Sequence, residues 1–279
     1  MSEHIALPQP PPPIVPPEGW HAVHLFYRIE RGLWEAMSGE ERLRAKTEFS
    51  RLVQDIRATD RTQLLTFSMV SPKADLGLML LTPDLQIADA FSKKLGVALG
   101  ADVLTPVYSY LSMTEWTEYF TTEDEYTARM VQEKSLTPGT PEMEAELATY
   151  RQHMAKYRQD RTNPNMPDWP VFCFYPMSKR RGEVNNWYAL PHEERKTLMG
   201  GHAITGRKYS GKVRQLITGS TGLDDHEWGV TLFAHNTFDI KAIVYDMRFD
   251  EVSTRFAEFG EFFIGLQLPL DELFRRLML

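Results

Sequence analysis

The chain carries a single cysteine, Cys173, in 279 residues. An intramolecular disulfide is therefore impossible, and thiolate metal clusters are excluded. Cys173 lies in the apolar run VFCFY, where a small buried hydrophobe is its expected role. No run of about 18 apolar residues occurs, so no membrane-spanning helix is expected. Positive charge is in deficit: Lys and Arg number 31 against 38 Asp and Glu, for a formal net charge of −7. That balance does not suggest a nucleic-acid partner. The N-terminus lacks a basic segment followed by an apolar one, so no secretory leader is expected and the expected compartment is the cytoplasm. No HExxH or paired-histidine pattern is present, which leaves a zinc hydrolase without support.

Proline is concentrated at the start. Residues 1–18 include PQPPPPIVPPE, which cannot pair into a sheet and predicts an extended, disordered tail, with ordered structure from about Trp20. Beyond it the elements come in a legible order. WHAVHLFYRI (20–29) alternates as a strand. SGEERLRAKTEFSRLVQDI (38–56) has a Ser cap with Glu41 three residues later, and its apolar positions fit a helix. Strands are predicted over 63–70, 74–82 and 105–116, with a helix over 84–98. The same β-α-β-β-α-β order recurs in strands over 171–179, 212–220, 227–235 and 254–268 and helices over 191–208 and 236–250. The fold expected is α+β: two tandem ferredoxin-like halves, 19–119 and 170–279, whose sheets close into one barrel. Between them, 120–169 reads as a helical connector broken at 137–141, with Thr140 capping its second helix.

The chemistry-bearing residues cluster between Phe174 and Gln215. His202 follows Leu198, Met199 and the pair Gly200-Gly201, a setting that offers the clearance a flat macrocycle needs beside an axial ligand; a core histidine at a helix end is the structural alternative. Tyr175 and Lys179 are four residues apart on one strand, so they share a face with Met177. A lysine on an inward face needs an anionic partner, which a ligand carboxylate supplies. Arg161 and Arg207 are further candidate cations. Gln215 alternates with Val213 and Ile217, and an amide among apolar side chains must find a hydrogen-bond partner, either a core amide or a ligand. The short cluster Lys179-Arg180-Arg181 reads as an anion site or as a solvated strand end.

These motifs resemble the coproheme decarboxylases, part of the chlorite dismutase-like superfamily of dimeric α+β barrels. The resemblance covers roughly 19–268 and rests on GW…HLFY at 19–27, YSYLS at 108–112, CFYPMSKRR at 173–181, NWY at 186–188, GRKYSGKVRQLITGSTGLDDHEWGVTLF at 206–233 and YDMRFDEVS at 245–253. It implies roles. His202 matches the proximal iron ligand. Tyr175 matches the tyrosine that becomes a radical and abstracts hydrogen from a propionate. Lys179 matches a lysine that pairs with a propionate and assists the second decarboxylation. Arg161 matches a propionate-binding arginine, and Gln215 falls where chlorite dismutases place a distal arginine. Tyr119, Met177, Arg207 and Ser253 are implied to line the propionate side. The implied substrate and redox cofactor is Fe-coproporphyrin III (coproheme), the oxidant hydrogen peroxide and the product haem b. A homo-oligomer, commonly a pentamer, and transient contact with ferrochelatase are implied too. Three departures stand out: Ala203 follows the histidine where the family has glycine, the connector is longer than in compact relatives, and the proline tail has no counterpart.

Other readings predict different things. A chlorite dismutase benefits from a distal cation, which Gln215 cannot supply, and it leaves Tyr175 and Lys179 unexplained. A haem carrier or sensor needs His202 but not Tyr175. A purely structural barrel leaves the whole constellation to coincidence.

Overall fold

The computed structural model describes residues 11–279. The first half runs β1 (His21–Ile29), α1 (Arg31–Ala36), α2 (Gly39–Ala58), β2 (Gln63–Met69), β3 (Leu76–Thr82), α3 (Leu85–Val97) and β4 (Leu104–Thr114). Both arms of the expected capping box form at α2. Ser38 Oγ accepts the Glu41 amide, and the Glu41 carboxylate accepts the Ser38 amide. Then come α4 (Glu123–Lys134) and α5 (Pro141–Thr162), the latter started by Thr140, whose hydroxyl accepts the Met143 N–H. The second half is β5 (Val171–Lys179), a single 3-10 turn (Trp187–Ala189), α6 (His192–Arg207), β6 (Val213–Gly219), β7 (Trp228–Ala234), α7 (Thr237–Met247), α8 (Glu251–Phe256), β8 (Ala257–Phe259), β9 (Phe263–Gln267) and α9 (Leu270–Leu277).

The strands form one sheet in the order β7-β6-β4-β1-β3-β2-β9-β5-β8, and β7 also pairs with β5, which closes it. Each half contributes the same antiparallel arrangement, β2-β3-β1-β4 and β6-β7-β5-β9. The halves join fourth strand to second strand at both seams, β4 to β6 and β9 to β2. Closure leaves few open edges. Side chains alternate across the wall. Phe172 and Phe174 join Phe26, Phe67, Phe233 and Phe263 in the interior cluster, while Cys173 and Tyr175 join Val213, Val230, Leu232, Ile240 and Ile243 on the outer face of the second half. Gly229 is required by crowding inside the barrel: a Cβ there would lie 2.8 Å from the Tyr110 ring and 3.2 Å from that of Phe174.

Three expectations are corrected. Residues 1–10 of the proline tail lie outside the described residues, but order begins before Trp20: Ile14 donates its N–H to Asp84 and accepts that of Leu85, and Glu18 pairs with Arg158. The strand expected over 254–268 is preceded and interrupted. Residues 254–256 are helical, because the Asp250 side chain caps α8 by accepting the Ser253 N–H. The strand then splits into β8, which pairs with 177–179, and β9, which pairs with 171–174. The gap falls at Pro176, which has no N–H to give to a ladder. Finally, α1 and α9 were not expected. Neither has a side-chain cap; α1 has no charged end signal either, whereas α9 has one in Pro269, Asp271 and Glu272 at its start and Arg275 and Arg276 in its last turn, which went unread.

Candidate functional site

Alternation along β5 puts Tyr175, Met177 and Lys179 on the outer face of the second half. Tyr175 is 8% exposed and its ring stacks on Phe262 at 4.4 Å, with Phe259 at 5.8 Å. Burial holds its phenol well above the ordinary range, so it stays protonated at neutral pH. Arg248 lies with its guanidinium 3.9 Å from the Phe259 ring and contributes positive potential at Tyr175. Met177 is half-buried in the same apolar cluster.

Lys179 is 8% exposed, with its ammonium 4.6 Å from the Trp187 ring centroid. Burial pulls it down to about 8, against the opposing pull of Asp250 and Glu227. Trp187 packs with Val252 and Phe256, and Tyr119 meets it edge-on at 6.3 Å. The Tyr119 hydroxyl accepts the Arg195 Nε–H at 3.2 Å; burial and the Glu118 carboxylate push its phenol up to about 12.

His202 stands within α6, half-buried, with Nδ1 3.0 Å from Asp250 Oδ2. Asp250 is anchored in turn. Oδ1 accepts the Ser253 N–H at 3.0 Å, and Oδ2 accepts the Ser253 hydroxyl at 3.1 Å. Burial raises the Asp250 carboxyl, but the bonds from His202 and Ser253 outweigh it and leave the group below its usual value. An aspartate at Nδ1 sets that nitrogen as the donor and leaves Nε2 with a free lone pair, the arrangement of a metal-ligating imidazole with its supporting carboxylate. Ser253, which the resemblance implies on the propionate side, holds Asp250 through both bonds.

Helix α6 buries none of its residues, unlike α7, which buries Ile240 and Ile243 against the sheet. Its partly buried Leu198 and Met199 pack against Trp187, Val252 and Phe256. Gly200 and Gly201, read from the sequence as giving clearance beside His202, are exposed and have open space where a Cβ would sit. Gly206 is the glycine that matters to the site, since a Cβ there would sit 3.4 Å from Gln215 Nε2 and 3.2 Å from Met247. Gln215 lies on the outer face of β6 with Val213 and Ile217, under α6. Arg161 and Arg207 are more peripheral. Arg161 donates to the Glu115 carbonyl at 3.3 Å, and Arg207 is exposed at the end of α6. The sequence reading missed Asp250, Trp187, Glu227 and Arg248.

The sequence model of the chlorite dismutase family matches residues 42–268. The chain belongs to that family. Among solved structures it is similar to a heme-binding protein from Thermus thermophilus, at 36% identity over 96% of this chain and 98% of that one, with a TM-score of 0.77. It is also similar to a chlorite dismutase variant from Candidatus Nitrospira defluvii, at 19% identity over 95% of this chain and 98% of that one, with a TM-score of 0.71. At the second identity the likeness is one of fold. Among the described residues no helix is long and apolar enough to cross a membrane.

Proposed function

We propose that this member of the chlorite dismutase family is a hydrogen peroxide-dependent coproheme decarboxylase, converting two propionates of Fe-coproporphyrin III to vinyls and yielding haem b. One observation carries the reading: Tyr175 and Lys179 share a buried face of β5, and Asp250, the carboxylate that binds His202 Nδ1 and so leaves Nε2 for a ligand, is also an acid acting on Lys179. A haem carrier needs only the histidine. A chlorite dismutase is better served by a cation where Gln215 stands.

The residues fit the group. Nε2 of His202 would hold the iron, with Asp250 fixing the tautomer and ring orientation. The bound coproheme and peroxide supply the redox chemistry. Tyr175 would give up its phenolic hydrogen to the peroxide-derived oxidant and, as a phenoxyl radical, take one from the propionate chain; the second oxidising equivalent of the same peroxide would remove one more electron, and loss of carbon dioxide would leave the vinyl. Its apolar surroundings of Phe259 and Phe262 keep water and competing donors away. Lys179 holds a carboxylate by a charge-assisted bond, and Arg248 and Arg161 are further cations for the remaining propionates. Gln215 remains an uncharged donor below α6, and Met177, Tyr119 and Arg207 are read as the rim. Assembly into a homo-oligomeric ring, a cytoplasmic setting and hand-over to or from ferrochelatase belong to the same proposal.

The test is to load the protein with coproheme, add hydrogen peroxide stepwise and follow the porphyrin by mass spectrometry. Two successive losses of carbon dioxide plus two hydrogens, ending at haem b, are expected. Tyr175→Phe should bind coproheme and lose no mass. Binding by the wild type without mass loss would favour the carrier, and a chlorite oxygen-release assay would then identify a dismutase.

A further inference from the structure

Glu227 is a buried carboxylate to which the proposed reaction assigns no task. It immediately precedes β7 and is 7% exposed. Its Oε2 accepts the Lys179 N–H at 2.7 Å, and its own N–H donates to the Met177 carbonyl at 3.1 Å. Both bonds pin it to the end of β5. A buried carboxylate is costly unless it is hydrogen-bonded, and the Lys179 N–H supplies a bond to Oε2.

What Glu227 does not do is equally informative. Among the described residues the Lys179 ammonium makes no ion pair and lies over the Trp187 indole. A direct ion pair would occupy the ammonium. A carboxylate tied to the main-chain amide of the same residue supplies negative potential and leaves all three ammonium protons available. Asp250 is the other acid acting on Lys179, and its oxygens are already committed to His202 and Ser253. We propose that Glu227 is a positioning residue that keeps Lys179 charged yet unpaired, ready for a ligand carboxylate. The identity of that carboxylate as a porphyrin propionate rests on the function proposed above; the coupling between Glu227 and Lys179 does not.

Glu227→Gln keeps an oxygen for the Lys179 N–H and removes the charge. Lysine 13Cε resonances of the ligand-free protein report the ionisation of Lys179 directly, its signal being the one absent from Lys179→Met. The wild-type midpoint is expected near pH 8, and that of Glu227→Gln about one pH unit lower. Equal midpoints would overturn the proposal. In parallel, iron-free coproporphyrin III is titrated by fluorescence between pH 6 and 9, where no turnover is involved. Affinity should fall through the Lys179 midpoint in the wild type and at lower pH in Glu227→Gln. In a Lys179→Met background Glu227→Gln should move nothing further, and a shift there of the same size would also overturn the proposal. A wild type that binds no coproporphyrin, with the resonance shift intact, would refute the porphyrin reading and leave the coupling standing.

Discussion

His24 provides a sharp test of the barrel interior. It is wholly buried, stacked on Phe174 at 4.1 Å, with Nε2 2.9 Å from Thr231 Oγ1 and no partner at Nδ1. A cation there would face aromatic carbon and one hydroxyl, and burial drives the imidazole from 6.5 down to about 3. The folded state therefore stays unprotonated through a window in which the unfolded chain takes up a proton. Stability from this residue is complete above about pH 6.5 and is lost as pH falls, until the folded state protonates near 3. The whole window corresponds to about 5 kcal/mol at about 1.4 kcal/mol per unit, and roughly 2–3 kcal/mol of it is lost between pH 6.5 and 4.5, before most carboxylates titrate. His21 is also lowered by burial and adds to the same slope. The assay is urea unfolding followed by tryptophan fluorescence at fixed protein concentration, at half-unit steps over that range, for the wild type and His24→Gln. The glutamine keeps a polar group for Thr231 and does not titrate. Its stability curve should be flatter by about 1 kcal/mol per pH unit. Parallel curves for the two proteins would refute the reasoning.

The other predictions concern the candidate site. Asp250→Asn should weaken coproheme binding by about 10- to 100-fold, because His202 loses the carboxylate that fixes its tautomer; a spectrophotometric titration reads this, and unchanged affinity would sink the assigned role. Lys179→Met should be more stable than the wild type at pH 7 by up to about 3 kcal/mol, since a buried ammonium lowered to about 8 penalises the folded state. That advantage should fade as pH rises from 8 towards 10.5, where the lysine of the unfolded chain also loses its proton. A variant less stable at pH 7 in denaturant melts would show that the lysine is held by its acids rather than against its burial.

How far the sequence carried these conclusions depended on the range of the interactions. Period-two alternation put Tyr175 and Lys179 on one face, and Gln215 with Val213 and Ile217, because alternation is a local property of a strand. The capping box at Ser38 and Glu41 was legible for the same reason. The splitting of the last strand was not. FAEFGEFF suits either a strand or a helix end, and the break sits opposite Pro176, far away in sequence. The Asp250–Ser253 cap was a local signal that could have been read, and it would have shown the serine hydroxyl already engaged. Glu227 gave no such sign, since its partners on β5 lie 48 and more residues away.

The two halves also differ in how their outer sheet faces are covered. Both present an outer sheet face to helices, through the same strand arrangement. In the first half that face is filled: α2 buries Phe49, Val53 and Ile56, α3 buries Ala88 and Leu95, and α9 adds Leu273, Phe274 and Leu277 from the far end of the chain. In the second half α6 occupies the place of α2 but has no fully buried residue; it carries two histidines, three glycines and two threonines, and only its partly buried Leu198 and Met199 pack on Trp187, Val252 and Phe256. Partly buried side chains give α6 less apolar stabilisation than α2 obtains. Polar ties such as His202–Asp250, Arg195–Tyr119 and Lys196–Glu125 add to its docking. The first half thus stabilises its sheet face with a broad set of buried helix side chains, whereas in the second Tyr175, Lys179 and the His202–Asp250 pair are accompanied by a smaller apolar contribution from the helix that follows β5.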